Sequence, residues 1–273
     1  MNSRASPWVE LIRSLIGEVG DFSAQCENEQ AVQVERSEVL ALRLLRPGAD
    51  TAGHTARLVE LGKTGRLEQV QVVDGRGHQR PEYLPILVYA WARACPGEPA
   101  IAPWSRPLTR AIALAANLEL RAVNGAAVAR GAWSALAMQA ISREEPAGGE
   151  LLGRIVASQQ ASGAFLASTP RDNPETHWYH ELVILHALAS HAAMSGRSLA
   201  AMATARAAEF HLNQTQPDHA TMEPFGVHAF LADRRTAIIG EGMLHAVRAE
   251  HPRGARGMTA MLLADAAEWL TAT

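Results

Sequence analysis

At 273 residues, 48% hydrophobic and 19% charged, the chain is long enough to bury a sizeable core and too apolar to stay disordered. A net charge of −3 gives no broad basic surface, which excludes a nucleic-acid partner. Only Cys26 and Cys95 are present, without CxxC spacing, so a disulfide scaffold is excluded too.

The elements read in chain order are helical. Ser6-Pro7 sets an N-cap and a first-turn proline before Val9, Ile12, Leu15 and Ile16, which recur at helical spacing. Further helices are expected at about 28–46, 51–62, 80–95, 106–121, 126–143, 149–160, 175–194, 197–214, 222–232, 234–250 and 256–271. Gly or Pro marks the breaks, as at Pro47-Gly48, Pro96-Gly97, Pro146, Gly163, Gly196, Pro217 and Pro252. The one strand candidate is Leu67 to Asp74. No run of 18 apolar residues and no secretory leader stands out, so a cytoplasmic protein without a membrane span is expected. Arginine replaces lysine everywhere except Lys63, a bias that fits a high-GC bacterial genome.

Helix character alternates. Segments 151–160 and 199–212 are amphipathic, whereas Val183–Ala193 carries no charge except histidine, as a helix surrounded by protein does. Alternating buried and half-exposed helices predict an all-α fold, an α/α toroid of about six helical hairpins in a single domain over 1–273. An α-helical repeat solenoid is the alternative.

One turn carries a family likeness. Gln160-Ala161-Ser162-Gly163-Ala164-Phe165, a glutamine ending one helix and then x-x-Gly-x-aromatic, resembles the repeat of terpenoid cyclases and protein prenyltransferases. The resemblance implies a toroid scaffold. It implies no activity, because the Asp-rich motif of the cyclases and the Asp, Cys, His zinc pattern of the prenyltransferases are both missing. No Gly-x-Ser-x-Gly, P-loop or Gly-x-Gly-x-x-Gly element appears either.

Seven of the eleven histidines fall between 177 and 228, four of them in two polar knots at 171–181 and 214–228. If inner helices run parallel, their N-termini share one mouth, and a third segment at 78–83 joins them. Glu82, Glu175, His177, His180, Asp218, His219 and Glu223 then converge. Helix capping by itself also accounts for Glu82, Glu175 and Glu223. At about 100° per residue His177, His180 and Glu181 share a helix face, while His186 and His191 lie elsewhere as core histidines with hydrogen-bonded rings.

The candidate catalytic set is therefore His177, His180, Glu175, Asp218, His219 and Glu223, working by acid–base chemistry with a carboxylate orienting an imidazole. Carboxylate pairs such as Glu175 with Asp218 or Glu223 would equally suit glycoside cleavage. Trp178, Tyr179, Phe225, Glu82, Tyr83, Arg171 and His228 are the candidate ligand contacts. A second option places a divalent metal on His177, His180 and His219, although no His-Glu-x-x-His motif is present; the cofactor stays unassigned. The partner expected is a small molecule in a central cavity, an isoprenoid or a saccharide, and a homo-oligomer is compatible with the sequence. The competing reading is a non-catalytic toroid that binds a small molecule or a protein.

Overall fold

The computed structural model describes residues 7–17, 82–97, 99–117, 125–142, 146–167, 174–196, 198–213 and 223–272. The expected helices at 28–46 and 51–62, the strand candidate at 67–74, and Arg171, Asp218 and His219 lie outside them, as does the side chain of Glu175.

The described residues are all-helical, with ten α-helices and no strand. In order they are α1 (Pro7–Leu15), α2 (Tyr83–Ala94), α3 (Ser105–Asn117), α4 (Gly125–Ile141), α5 (Pro146–Ala157), α6 (Pro174–Ser195), α7 (Ser198–Leu212), α8 (Val227–Leu231), α9 (Ala237–Glu250) and α10 (Gly257–Ala272). A 3-10 segment, Pro99–Trp104, leads into α3. None of these helices is long and apolar enough to cross a membrane.

Two boundaries differ from expectation. Pro146 marks the break as expected but also opens α5, three residues before the expected start, because a proline at the first helical position gives up an N–H that has no intrahelical partner anyway. The expected helix at 222–232 shrinks to α8, since Pro224 lies in the turn before it and Gly226 takes a left-handed φ of 76° at the N-cap.

Burial sorts the helices into two kinds. In α2 every residue but Arg93 is buried, and residues 181–191 of α6 and 257–267 of α10 are buried without interruption. By contrast α3, α5, α7 and α9 each present an exposed stripe, such as Leu199, Met202 and Arg206 on α7. The exposed-stripe helices flank the buried ones, with α3 and α5 against α4, α7 against α6 and α9 against α8. Small residues allow this closeness: a Cβ on Gly131 of α4 would overlap Ala115 of α3.

The buried helices point the same way. Along α4 and α6, Gly125 faces His180, Trp133 Nε1 donates to the Val183 carbonyl at 3.1 Å, and His191 Nδ1 meets Gln139 Oε1 at 2.8 Å. Between α2 and α10, Tyr89 reaches Asp265 and Arg93 reaches Glu268. In each pair the residue numbers rise together, and Glu82 of α2 meets Tyr179 of α6 while Tyr89 and His186 share Asp265, so the N-termini of α2, α4, α6 and α10 gather at one end. The core between them holds Trp91, Trp104, Trp133, Phe225 and Phe230, aromatic side chains that each remove roughly 150–250 Å² from water.

The Gln160–Phe165 turn after α5 is a tight joint. Gly163 has φ of 100°, its N–H donates to the Gln160 carbonyl at 3.0 Å, and the Gln160 side-chain amide donates to the Leu166 carbonyl. A Cβ on Gly163 would collide with the Arg206 carbonyl oxygen on α7. Gly163→Ala is expected to lose about 2–4 kcal/mol, from a disfavoured φ plus overpacking against backbone. Urea unfolding measures it, and a loss under about 0.5 kcal/mol would contradict this account of the turn.

Candidate functional site

A fully buried carboxylate, Asp265 on α10, sits where α2, α6 and α10 meet. Its Oδ1 accepts from Tyr89 Oη at 2.7 Å and from Trp269 Nε1 at 3.1 Å. Its Oδ2 accepts from Ser190 Oγ at 2.7 Å and from His186 Nε2 at 3.2 Å. Burial pushes the Asp265 carboxyl up, yet the hydrogen bonds from His186 and Tyr89 and the neighbouring imidazoles more than offset it, and the group is held below the usual carboxylate range. Burial and the adjoining Asp265 push the Tyr89 phenol well above its ordinary value, so Tyr89 is a fixed donor.

The bonds fix both histidine tautomers. The Gly226 N–H donates to His186 Nδ1 at 3.0 Å, so His186 carries its proton on Nε2 and gives it to Asp265. Ser190 spends its hydroxyl proton on Asp265, so in its 3.3 Å contact with His228 Nε2 it accepts. His228 is therefore protonated at Nε2 and bare at Nδ1, which is buried and has no hydrogen-bond partner among the described residues. Burial, reinforced by His186 and opposed by Asp265, lowers the His228 pKa to about 3.

His186, His228 and Asp265 also bring ligand atoms within 4.8 Å of one another, the spacing of a metal centre. The donor chemistry argues otherwise. A metal-bound imidazole donates its second ring N–H to an acceptor, whereas Nδ1 of His186 already receives an N–H from Gly226. A metal on Nε2 would demand an imidazolate or a broken Gly226 bond. The expected metal pair differs again: His177 Nε2 lies 4.0 Å from Glu181 Oε1, while His180 Nδ1 packs toward Gly125 on α4.

Nearer the start of α6, two of the expected polar segments touch. Tyr179 Oη donates to Glu82 Oε1, joining two of the polar segments, and its ring stands edge-on to Phe225 at 5.9 Å and to His180 at 5.4 Å. Tyr83 is buried beside Glu82, and Trp178 is half-buried. Glu82 occupies the N-cap position of α2 without a side-chain capping bond, and its carboxylate instead receives the Tyr179 hydroxyl. Glu223 likewise reaches across to α10, where Thr259 Oγ1 donates to its Oε2 at 2.6 Å. Phe225 lines both regions, 5.9 Å from Tyr179 and 6.0 Å from His186, and His228 belongs to the Asp265 cluster, not to the mouth.

His177 and Glu181 form the titratable pair of this end. Both Glu181 oxygens accept the Phe165 N–H at 3.0 Å, and Oε1 also takes the Leu166 N–H at 2.6 Å. Burial raises the Glu181 pKa to about 7 against those backbone bonds. On α7, His211 is fully buried beside Phe230, with neither ring nitrogen hydrogen-bonded among the described residues; burial, helped by His177, lowers its pKa to about 3.

Sequence reasoning missed Asp265, Tyr89 and Ser190. A signal existed for the first: Asp265 lies four residues after Met261 and four before Trp269, on the apolar stripe of its helix. Tyr89 and Ser190 had none, since each sits singly in an apolar run. No family model matches the chain, and no curated protein or solved structure matches it.

Two outcomes follow from these groups. Asp265→Asn leaves buried donors facing an amide and should cost on the order of 3–5 kcal/mol, read from urea unfolding; a loss below about 1 kcal/mol would contradict the hub. The second concerns pH. His211 and His228 have folded values near 3 against 6.5, so they contribute stability above 6.5 that is lost as pH falls toward 3. Glu181, raised from 4.5 to about 7, contributes below 4.5 and loses that contribution as pH rises to 7. From pH 6.5 to 4.5 two protons oppose one, so stability should fall on acidification by on the order of 1 kcal/mol per pH unit, and about twice as steeply below 4.5. Denaturation at stepped pH checks this, and a flat profile would contradict it.

Proposed function

We propose that the chain is an α/α toroid whose inner-helix mouth binds a small molecule, an isoprenoid or a saccharide, and acts on it by acid–base chemistry without a metal. The toroid is supported by parallel buried helices inside exposed-stripe helices. It is favoured over an open solenoid because α2 and α10 meet through Tyr89–Asp265 and Arg93–Glu268, whereas solenoid repeats touch only their neighbours. The Gln160–Leu166 turn, with its glutamine side chain tying down the loop, agrees with the terpenoid-cyclase-like resemblance at the level of scaffold.

The observation that carries the chemistry is the pairing of His177 with Glu181. The imidazole is 8% exposed, its Nε2 is 4.0 Å from Glu181 Oε1, and burial brings the carboxyl to about 7. A carboxyl titrating at neutrality can hold or release a proton as the imidazole beside it takes or gives one. Glu82, tied to Tyr179, and Phe225 would then position the ligand.

A non-catalytic binding toroid is the second reading. It is favoured by the two backbone N–H groups that Glu181 accepts, since a carboxylate engaged in holding the 165–166 turn serves structure.

The experiment is a thermal-shift and product assay of the purified chain with farnesol, farnesyl diphosphate and cello- and malto-oligosaccharides, repeated on His177→Ala and Glu181→Gln. The proposal expects one ligand class to raise the wild-type Tm and to be converted. His177→Ala should keep a wild-type unliganded Tm to within a few degrees and lose conversion by about 10²-fold or more. A ligand shift without product supports the binding toroid, and no shift with any probe overturns the ligand-binding reading.

A further inference from the structure

Arg130 on α4 is a cation without a counterpart. Its Nε is buried and unbonded, and among the described residues its guanidinium makes no hydrogen bond or ion pair. The described carboxylates of this end are engaged elsewhere. Glu82 receives the Tyr179 hydroxyl, and Glu181 receives the Phe165 and Leu166 N–H groups. Holding a charge in a half-buried place costs desolvation, which an anion from outside the chain would offset.

Helix geometry places this side chain. At about 100° per residue, Arg130 shares a face of α4 with Ala126, Ala127, Trp133, Ser134 and Ala137. That face carries the Trp133 ring, which stands edge-on to Tyr89 of α2 at 5.6 Å. The contacts with α3 and α5, at Gly131 and Ala135, lie on the other side of the helix. Trp133, Ser134 and Ala137 are fully buried, whereas Ala126, Ala127 and Arg130 are half-buried. Water therefore reaches this face near the start of α4 and stops one turn further in. Arg130 lies about 4.5 Å nearer the shared helix N-termini than Trp133, at about 1.5 Å per residue. Its half-buried neighbours on the face are alanines, whose methyl groups leave the guanidinium accessible to a small group.

We propose that Arg130 binds the oxyanion of a small ligand, a carboxylate or a phosphate group, at the shared end of the inner helices. The planar fork of guanidinium N–H donors fits either group in a bidentate way. The dipoles of α2, α4, α6 and α10 have their positive ends here, which adds to the attraction. Within the proposed function this narrows the ligand to an acidic or phosphorylated one, since a neutral isoprenol or a plain oligosaccharide leaves Arg130 unmatched. The inference rests on the proposed mouth taking a small molecule, and not on the acid–base role of His177.

The test is NMR of the full chain, labelled with 15N at arginine Nε and titrated with inorganic phosphate and with acetate. Sodium chloride at matched ionic strength is the control. The Arg130 Nε–H signal, assigned by its loss in Arg130→Lys, is expected to shift and to exchange more slowly with phosphate or acetate, and to ignore chloride. Arg130→Met should weaken the responding anion about tenfold or more, the worth of one charge-assisted hydrogen bond. Because Arg130 has no internal partner to lose, that variant should keep the wild-type Tm to within a few degrees. A markedly lower Tm would overturn the inference, since it would mean a guanidinium bonded within the fold. An Arg130 signal indifferent to both anions in the wild type would also overturn it. So would equal affinity in Arg130→Met, which marks an adventitious ion only. Farnesol and cello-oligosaccharides in the same titrations separate the two readings. If either binds while Arg130 ignores both anions, the binding toroid stands and this inference falls. If an anion binds through Arg130 and neither neutral class binds, this inference stands and the toroid keeps only acidic ligands.

Discussion

An ionised carboxylate taken out of water costs several kcal/mol unless its oxygens are fully hydrogen-bonded. Asp265 meets that condition with donors from three helices: Tyr89 on α2, His186 and Ser190 on α6, and Trp269 on its own helix. No two of these helices can slide without stranding a donor or an oxygen. The apolar interior supplies bulk stability through Trp91, Trp133 and Phe230, but apolar contacts tolerate small shifts and a four-donor carboxylate does not.

That constraint extends outward to the candidate site. His186, oriented by Asp265, receives the Gly226 N–H and so pins the turn from Glu223 to Gly226. Thr259, also on α10, holds the same turn through Glu223. The turn carries Phe225, whose ring meets Tyr179, and Tyr179 in turn engages Glu82 at the head of α2. The positions of Phe225, Tyr179 and Glu82 are thus tied to the buried centre.

Much of the fold is legible in the sequence because helix periodicity is local. The boundaries of α2, α4, α6, α7 and α10 fall within a few residues of expectation, and a charge-free helix at 183–193 correctly reads as buried. His186 and His191 read as core histidines with bonded rings, and each has such a bond. The site is less legible because partner choice is tertiary. Glu82 and Glu223 carry the signature of helix caps, yet each bonds a side chain far along the chain, Tyr179 and Thr259, 97 and 36 residues away. His228 reads as part of a mouth by its place in the second knot, yet its ring belongs to the buried cluster. That knot also contains Gly226, whose left-handed φ shortens the following helix and delivers the N–H that decides the tautomer of His186.

The position of Asp265 along the chain has a consequence for how the protein is made. Its donors precede it by 176, 79 and 75 residues for Tyr89, His186 and Ser190. During synthesis, α2 and α6 leave the ribosome carrying their donors well before the one acceptor that satisfies them all. Contacts of such long sequence separation raise contact order and slow the final step, since loop closure must be met before the bonds reward it. Until α10 arrives, the nascent helices expose both apolar faces and unmatched polar groups, a state that chaperones bind and from which misassembly starts.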